Sequence, residues 1–86
     1  MDEIEKLRKK VDEVDEQIIA ALCERAKACK AIGLVKKKKG VPVRDIGRED
    51  EVYKRAKQRA IEFHLDPVQV EAVYREIVNM CSAFQE

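Results

Sequence analysis

The sequence predicts an all-α fold in which one long helix is followed by two shorter ones. Three observations support this: apolar residues recur at helical spacing, caps and stops divide the chain twice, and there are only three glycines and two prolines. Such a composition is typical of helices rather than strands. We expect the 86 residues to form a single domain, 1–86, near the lower size limit for burying a useful core alone.

The first helix is predicted over residues 3–39. Asp2, followed three residues later by Glu5, is typical of a capping box at its start. At its end, Gly40 suits the position after the cap, and Pro42 prevents the helix from resuming. Its apolar positions recur at steps of three, four or seven residues and are Ile4, Leu7, Val11, Val14, Ile18, Leu22, Cys29 and Ile32.

The length of this helix predicts a dimer. A helix over residues 3–39 extends for about 55 Å at 1.5 Å per residue, whereas a compact domain of this size is only about 25–30 Å across. One copy of the chain cannot cover so long an apolar stripe. We therefore expect an intertwined helical homodimer, most simply arranged about a two-fold axis.

Three cations lie on or beside the apolar stripe. At about 100° per residue the apolar positions span an arc of about 80°, with Arg25 and Lys36 inside it and Arg8 on its flank. A cation in an apolar seam is costly unless an anion meets it, so the stripe predicts a binding site for a small anion. Two alternatives remain open, since Arg25 could pair with an internal carboxylate and Lys36 could extend outward from the last turn.

The spacing of these cations predicts a site shared between subunits. Arg25 and Lys36 are about 16 Å apart along the helix axis, so their long side chains can lean toward one ligand. Arg8 lies about 26 Å from Arg25, which is beyond reach of the same ligand within one chain. In an antiparallel or crossed dimer, however, Arg8 of one chain would reach the site of the other.

A charged turn separates the first helix from the second. Two arginines, an aspartate and a glutamate fall within residues 44–49. A simple connection needs only a stop and a cap, so this density of charge predicts one wall of the anion site. Asp45 or Gly47 caps the second helix. Glu49 either stabilises the helix N-terminus through the dipole or accepts a hydrogen bond from a ligand hydroxyl.

The third helix begins at Asp66 and Pro67, which suit the cap and the first helical position. The second helix carries one apolar face, formed by Val52, Ala56, Ala60 and Phe63. The third carries another, formed by Val70, Val73, Tyr74, Ile77, Cys81 and Phe84. Gln85 lies one turn beyond Cys81 and close to that face, although a residue beside the C-terminus is normally frayed and exposed.

Charge balance and cysteine usage exclude several classes of protein. The chain has 18 Lys+Arg and 17 Asp+Glu, without the basic excess of a nucleic-acid binder. No apolar run approaches the ~20 residues needed to cross a membrane. There is no C-x-x-C spacing among the three cysteines, Cys23, Cys29 and Cys81. We therefore expect them to be thiols rather than part of a disulfide or zinc site, and we expect the protein to be located in the reducing cytoplasm. His64 has no second ligand at suitable spacing, so we expect no metal and an interaction with the helix end instead.

The pattern across all three helices is specific in combination. It consists of Arg8, Asp15, Glu24-Arg25, Gly33, Lys36, Pro42-Val43-Arg44-Asp45, Arg48-Glu49, Leu65-Asp66 and Gln85. From about residue 4 to residue 85, the chain resembles the all-helical class of chorismate mutases. The resemblance implies an isomerase without a cofactor that converts chorismate to prephenate, a Claisen rearrangement on the route to phenylalanine and tyrosine. It also implies an interlaced homodimer.

The resemblance implies that Lys36 and Gln85 are the catalytic residues, hydrogen-bonding the ether oxygen of the substrate. Chorismate is a dicarboxylate. Arg25 and Arg8 of the second chain would bind its carboxylates, and Arg48 would complete the cationic wall.

The same resemblance assigns residues to the remaining groups of the substrate. Glu49 and the backbone at Asp45 would hold the ring hydroxyl, and Ile32 would be an apolar contact. Cys81 stands where well-known family members have a serine near a carboxylate. Because a thiol is a weaker donor than a hydroxyl, the chain departs from the family pattern at this contact.

Two other functions fit part of the sequence. An isochorismate-pyruvate lyase on the same scaffold would have a similarly cationic pocket, although Arg48, Glu49 and Gln85 together favour the mutase. A non-catalytic helical dimerisation or regulatory module would explain the long stripe but not the cations within it. The resemblance leaves association with another aromatic-pathway enzyme open.

Overall fold

The computed structural model describes residues 2–86, and within this range the chain forms three α-helices and no strand. Helix α1 spans Glu3–Lys39, α2 spans Ile46–Glu62 and α3 spans Pro67–Gln85. The predicted all-α class, with one long and two shorter helices, is confirmed.

Both ends of α1 form where the sequence predicts them. The Asp2 side chain accepts a hydrogen bond from the backbone N–H of Glu5 at 2.8 Å, which satisfies one of the free donors of the first turn. At the other end Gly40 is left-handed, with φ 68°. The Gly40 N–H donates to the Lys37 carbonyl at 3.3 Å. Residues 36–39, all lysines, lie where the helix dipole favours positive charge.

The caps of α2 and α3 are both aspartates. Asp45 accepts from the Arg48 N–H at 3.1 Å, which decides between the two candidate caps in favour of Asp45. Asp66 accepts from the Val68 N–H at 2.8 Å, and Pro67 occupies the first helical position as predicted.

Helix α3 packs against both α1 and α2. The small core contains Cys29, Tyr53, Ala56, Ala60 and Val78. The predicted apolar face of α3 is only partly correct, because Val73 and Phe84 are 59% and 46% exposed. A helix that contacts two neighbours buries residues on two sides, so a single stripe does not describe it.

The apolar stripe in the first half of α1 is uncovered within the described chain. Its side chains are between 37% exposed at Val14 and 62% exposed at Leu7. The buried residues of α1, Cys29 and Gly33, both lie in its second half. The chain measures 56 Å along its longest axis, and its radius of gyration is 16.2 Å, against about 12 Å for a compact domain of this length.

His64 is the non-glycine residue with positive φ among residues 2–86, at 60°. It follows the C-cap Phe63, and its backbone N–H donates to the Ile61 carbonyl at 3.1 Å. A side chain with a β-carbon is strained in this region, and glycine is not. We expect His64→Gly to raise the free energy of unfolding by about 0.5–1 kcal/mol.

Thermal unfolding of the wild type and two variants tests this expectation. His64→Ala is the matched control, because it removes the imidazole but keeps the β-carbon. A higher Tm for His64→Ala than for His64→Gly would contradict backbone strain as the cause and point to the imidazole instead.

Candidate active site

A cavity of about 320 Å³ lies where the second half of α1, the turn before α2 and the end of α3 meet. Its size suits a small metabolite. The predicted site residues that line it are Arg25, Ile32, Lys36, Asp45, Arg48, Glu49, Cys81 and Gln85. Sequence positions up to 60 residues apart, from Arg25 to Gln85, therefore share one concave surface.

Lys36 is held at the centre of this surface by two hydrogen bonds. Its Nζ donates to the Val43 carbonyl at 2.6 Å and to Gln85 Oε1 at 2.6 Å. The lysine side chain is half-buried and turns toward α3, so the alternative in which it extends into solvent is wrong. An ammonium has three N–H donors, so one stays available to a ligand.

Gln85 is half-buried although it is the last residue of α3. Its Oε1 accepts from Lys36, and its Nε2 donates to Cys81 Sγ at 3.2 Å. An amide NH₂ group has two donors, so one N–H remains after the contact with sulfur. Lys36 and Gln85 thus each keep one donor beside the cavity that both line.

Gly33 explains why the end of α3 can approach α1 so closely. A β-carbon built at residue 33 would lie 2.6 Å from both the Cα and the carbonyl oxygen of Gln85. These are backbone atoms, which cannot yield as a flexible side chain can. Glycine at this position therefore brings the backbone of Gln85 against the helix that carries Lys36.

Arg25 is half-buried and also lines the cavity. Its Nη1 contacts Cys29 Sγ at 3.8 Å. Among residues 2–86 no carboxylate lies within ion-pair distance of Arg25, so the alternative of an internal ion pair is wrong for the described chain. Arg48 reaches only the exposed Glu51, at 3.4 Å. Both guanidinium groups are therefore open to an anionic ligand.

Glu49 is fixed by Arg44 in a two-bond ion pair. Arg44 Nε and Nη2 donate to the two carboxylate oxygens of Glu49 at 2.7 Å each, and the Glu49 side chain is only 13% exposed. These hydrogen bonds hold the pKa of the Glu49 carboxyl below its ordinary value. Each carboxylate oxygen has a second lone pair, so Glu49 can still accept from a ligand.

A second cavity, of about 350 Å³, adjoins the first and shares Arg25, Arg48 and Val52 with it. It runs between α2 and α3 over apolar residues that include Ala56, Ala60, Leu65 and Tyr74. The site thus continues into a groove whose lining combines apolar residues with four arginines, Arg25, Arg48, Arg55 and Arg59.

Arg8 is the predicted site residue that the structure does not bring to the cavity. It is exposed on the first half of α1 and lies outside the residues that line either groove. Within one chain, the cationic site therefore forms without Arg8.

The expectation that all three cysteines are thiols is wrong. Cys29 and Cys81 form a disulfide between α1 and α3, with their Cα atoms 5.4 Å apart, and only Cys23 is a free thiol. The two bonded residues are 52 positions apart, so spacing gave no indication that packing brings them together. A disulfide sulfur carries no proton, so Cys81 in this state lines the cavity but cannot donate to a substrate.

Residues 2–86 contain no group of three or more His, Cys, Asp or Glu side chains arranged to hold a metal ion. None of the three helices combines the length and apolar character required to span a bilayer.

Comparison with known proteins identifies the family. Residues 7–86 match the family described as chorismate mutase type II. The chain belongs to this family. The predicted resemblance to the all-helical chorismate mutases, and with it the assignment to a family of isomerases of aromatic amino-acid biosynthesis, is confirmed.

Two curated relatives carry the chorismate mutase name. The chain is 35% identical over 89 residues to a bifunctional chorismate mutase/prephenate dehydratase of Aquifex aeolicus; the alignment includes 100% of this chain and 25% of the relative. It is 30% identical over 66 residues to a chorismate mutase of Methanocaldococcus jannaschii, covering 77% of this chain and 67% of the relative. The chain thus spans a quarter of the length of the first relative and two thirds of the second.

A solved structure has the same fold. It is a conserved hypothetical protein from Pyrococcus furiosus, with a TM-score of 0.75 and 31% sequence identity. The superposition covers 96% of this chain and 95% of the other. The three-helix arrangement of this chain is therefore also found in a solved chain of similar length.

Sequence reasoning missed two interactions that position side chains of the cavity. The Val43 carbonyl accepts from Lys36, but every residue has a carbonyl, so residue type could not reveal it. The sequence predicted Arg44 as part of a charged wall of the anion site, but the structure pairs it with Glu49 and does not place it among the residues that line the cavity. Its position one residue before the helix cap could have indicated this pair, because the first helical turn faces back toward the preceding residues.

Proposed function

We propose that this protein is a chorismate mutase that converts chorismate to prephenate by a concerted Claisen rearrangement. One observation carries the proposal: Lys36 and Gln85 are hydrogen-bonded to each other at 2.6 Å beside a cavity that also contains Arg25. Two donors with a free N–H each then face a space bounded by the guanidinium of Arg25, which has no carboxylate partner within residues 2–86, and by that of Arg48, which pairs only with the exposed Glu51. This arrangement suits a dicarboxylate with an ether oxygen between its two parts.

The proposed mechanism needs no nucleophile and no proton transfer. Chorismate is flexible, and holding it in the compact reactive shape removes an entropic part of the barrier. As the C–O bond breaks, negative charge accumulates on the ether oxygen. The Lys36 ammonium and the Gln85 amide stabilise that charge more than they stabilise the ground state, which is the condition for raising kcat.

The remaining groups position the substrate. Arg25 and the partner's Arg8 would bind the carboxylates, and Arg48 would add positive charge at the mouth of the cavity. Glu49, kept ionised by Arg44, would accept a hydrogen bond from the ring hydroxyl, with the Asp45 backbone beside it. Ile32 would contact the apolar side of the ring.

We further propose that the functional unit is a homodimer with two shared sites. A compact monomer of 9.9 kDa exposes about 5,200 Å², whereas this chain exposes 7120 Å². The excess is of the order that an obligate dimer interface covers. The uncovered stripe of α1 has the apolar character of such an interface, and Arg8 lies on its flank.

Incubating purified protein separately with chorismate and with isochorismate tests the proposed reaction. Product analysis by NMR distinguishes prephenate from the pyruvate that a lyase would release. We expect prephenate from chorismate. Pyruvate release from isochorismate without prephenate formation would instead support the related lyase. A protein inert toward both, with no affinity for a bicyclic dicarboxylate mimic of the transition state, would support a non-catalytic module.

We expect the pH dependence of the reaction to follow from the side chains of Gln85 and Glu49. Gln85 does not titrate, and the pKa of Glu49 is lowered by its hydrogen bonds from Arg44. Glu49 is therefore ionised above its lowered pKa, and we expect kcat/KM to be flat from about pH 5 to about pH 7.5. The Arg44–Glu49 pair stabilises the fold when Glu49 is ionised. Because the pKa of Glu49 is lowered in the folded state, this stabilisation is fully present above the ordinary glutamate pKa and is lost as the pH falls through the lowered pKa.

A Gln85→Glu variant provides the matched comparison for this profile. A glutamate must be protonated to donate to the ether oxygen, so the activity of the variant should increase as pH is lowered. A steep acidic optimum in the wild type, or a flat profile in Gln85→Glu, would contradict the role of Gln85 as donor.

Two further expectations stay at the level of proposals. One relative combines the mutase with prephenate dehydratase, which supports association of this chain with another enzyme of the pathway. A cytoplasmic location stays a prediction from the sequence, and the Cys29–Cys81 bond removes cysteine usage as support for it, since disulfides are uncommon in reducing compartments.

A further inference from the structure

The Cys29–Cys81 disulfide is part of the wall of the candidate active site. Both cysteines line the same cavity as Lys36 and Gln85. Cys29 is 3% exposed, and Cys81 is half-buried on the cavity side. A bond that served the fold alone could lie anywhere between α1 and α3. This bond lies among the residues that we propose bind the substrate.

Each sulfur contacts a residue of the proposed site. Gln85 Nε2 donates to Cys81 Sγ at 3.2 Å, and Arg25 Nη1 lies 3.8 Å from Cys29 Sγ. One proposed catalytic residue and one proposed carboxylate-binding residue are thus oriented by the two ends of one covalent bond. The first contact also fixes which way the Gln85 amide faces, because its oxygen accepts from Lys36 at the same time.

The bond also secures a segment that would otherwise fray. Gln85 is the last residue of α3, and the final turn of a helix lacks its own hydrogen-bond partners. Cys81 is four residues earlier, one turn before Gln85. Together with the close approach at Gly33, the bond presses this last turn against α1.

We propose that the Cys29–Cys81 disulfide is a positioning element and a thiol–disulfide switch of the mutase site, active when oxidised and attenuated when reduced. The inference rests on the proposed function. Non-bonded atoms pack at about 3.5–4.0 Å, so two thiols cannot remain as close as two bonded sulfurs. Reduction therefore moves α3 away from α1 at Cys81 and displaces Gln85 from Lys36.

The chemical step is exchange with a dithiol reductant. One thiolate of the reductant attacks Cys81 Sγ, the more accessible sulfur, and the Cys29–Cys81 bond breaks as the mixed disulfide forms. The second thiol of the reductant then displaces Cys81 and closes a disulfide within the reductant. Cys29 and Cys81 leave as two thiols, and the reductant has given up two electrons and two protons.

The position of the bond also predicts that ligand binding affects how readily the disulfide is reduced. A ligand in the cavity covers Cys81 and favours the arrangement in which Gln85 is in place. Binding and oxidation should then support each other, as linkage requires. We expect a bicyclic dicarboxylate mimic of the transition state to slow the release of thiols by dithiothreitol.

The experiment uses the full chain with Cys23→Ser, which removes the exposed free thiol outside the cavity. Thiol titration should find none before treatment with dithiothreitol and two afterwards. We expect reduction to lower kcat about fivefold with KM changed by less than about twofold, because Gln85 acts on the transition state. Circular dichroism at the assay temperature verifies that both forms are helical.

Cys81→Ala in the same background is the comparison, and its kcat should be low and unaffected by dithiothreitol. Two titratable thiols before reduction, an unchanged kcat once both are released, or equal release with and without the mimic would each overturn the inference. In those cases prephenate formation by the untreated protein leaves the proposed function intact. Absence of prephenate formation in both redox states overturns the proposed function, and the positioning role with it.

Discussion

Replacing Lys36 with alanine is expected to lower kcat at least about a hundredfold while leaving the protein helical. Removing one preplaced donor to a developing oxyanion typically costs ~3–4 kcal/mol of transition-state stabilisation. The Lys36 Nζ is already fixed by the Val43 carbonyl and Gln85 Oε1, both at 2.6 Å. No reorganisation is therefore needed when charge forms on the ether oxygen, and the full donor is lost on substitution.

Lys38→Ala is the matched control for this variant. Lys38 lies in the same last turn of α1 but is exposed and outside the cavity. Steady-state kinetics of both variants, with circular dichroism of each, separates loss of the donor from loss of the helix end. Near-normal turnover in Lys36→Ala would remove Lys36 from the mechanism, and an equal loss in Lys38→Ala would assign the effect to general positive charge.

Mixing Arg8→Ala chains with Arg25→Ala chains is expected to restore activity that neither variant has alone. In a shared site, Arg25 comes from one subunit and Arg8 from the other. A mixed dimer then has one site with both arginines and one with neither. Random exchange makes half of the dimers mixed, so about a quarter of the wild-type activity should return.

The structure supports the assumption that Arg25 and Arg8 of one site come from different subunits. Arg25 lines the cavity and lacks an acidic partner within residues 2–86, whereas Arg8 is exposed on the half of α1 that no helix of the chain covers. The chains are mixed under mild denaturation and refolded, and activity is compared with that of each variant treated alike. A mixture no more active than its components would place both arginines in one subunit or leave Arg8 outside the site.

The helix ends were the most predictable part of the fold. Asp2, Gly40, Asp66 and Pro67 occupy the cap or adjacent positions that their residue types indicate. These choices depend on hydrogen bonds and backbone angles within a few residues, so local sequence determines them. Where two local solutions were equally good, at Asp45 and Gly47, only the observed hydrogen bond to the Arg48 N–H decided between them.

The candidate site was predictable to the extent that charge and helical period reveal it. Arg25 and Lys36 stood out because cations lay within an apolar stripe. Gln85 did not stand out in this way, and its role came from the family resemblance. Its contact with Lys36 joins residues 49 positions apart, which depends on how α3 packs against α1.

The sequence by itself determined the three helices, most of their boundaries and the position of Arg25 and Lys36 on the apolar stripe of α1, because each of these follows from interactions over a few residues or from the helical repeat. The tertiary structure decided which residues of α3 are buried, that Val43 and Gln85 both hold Lys36, and that Cys29 bonds to Cys81. The contacts of Lys36 with Gln85 and of Cys29 with Cys81 join segments 49 and 52 residues apart. Only the packing of α3 between α1 and α2 brings them within reach, and residue spacing does not record that packing.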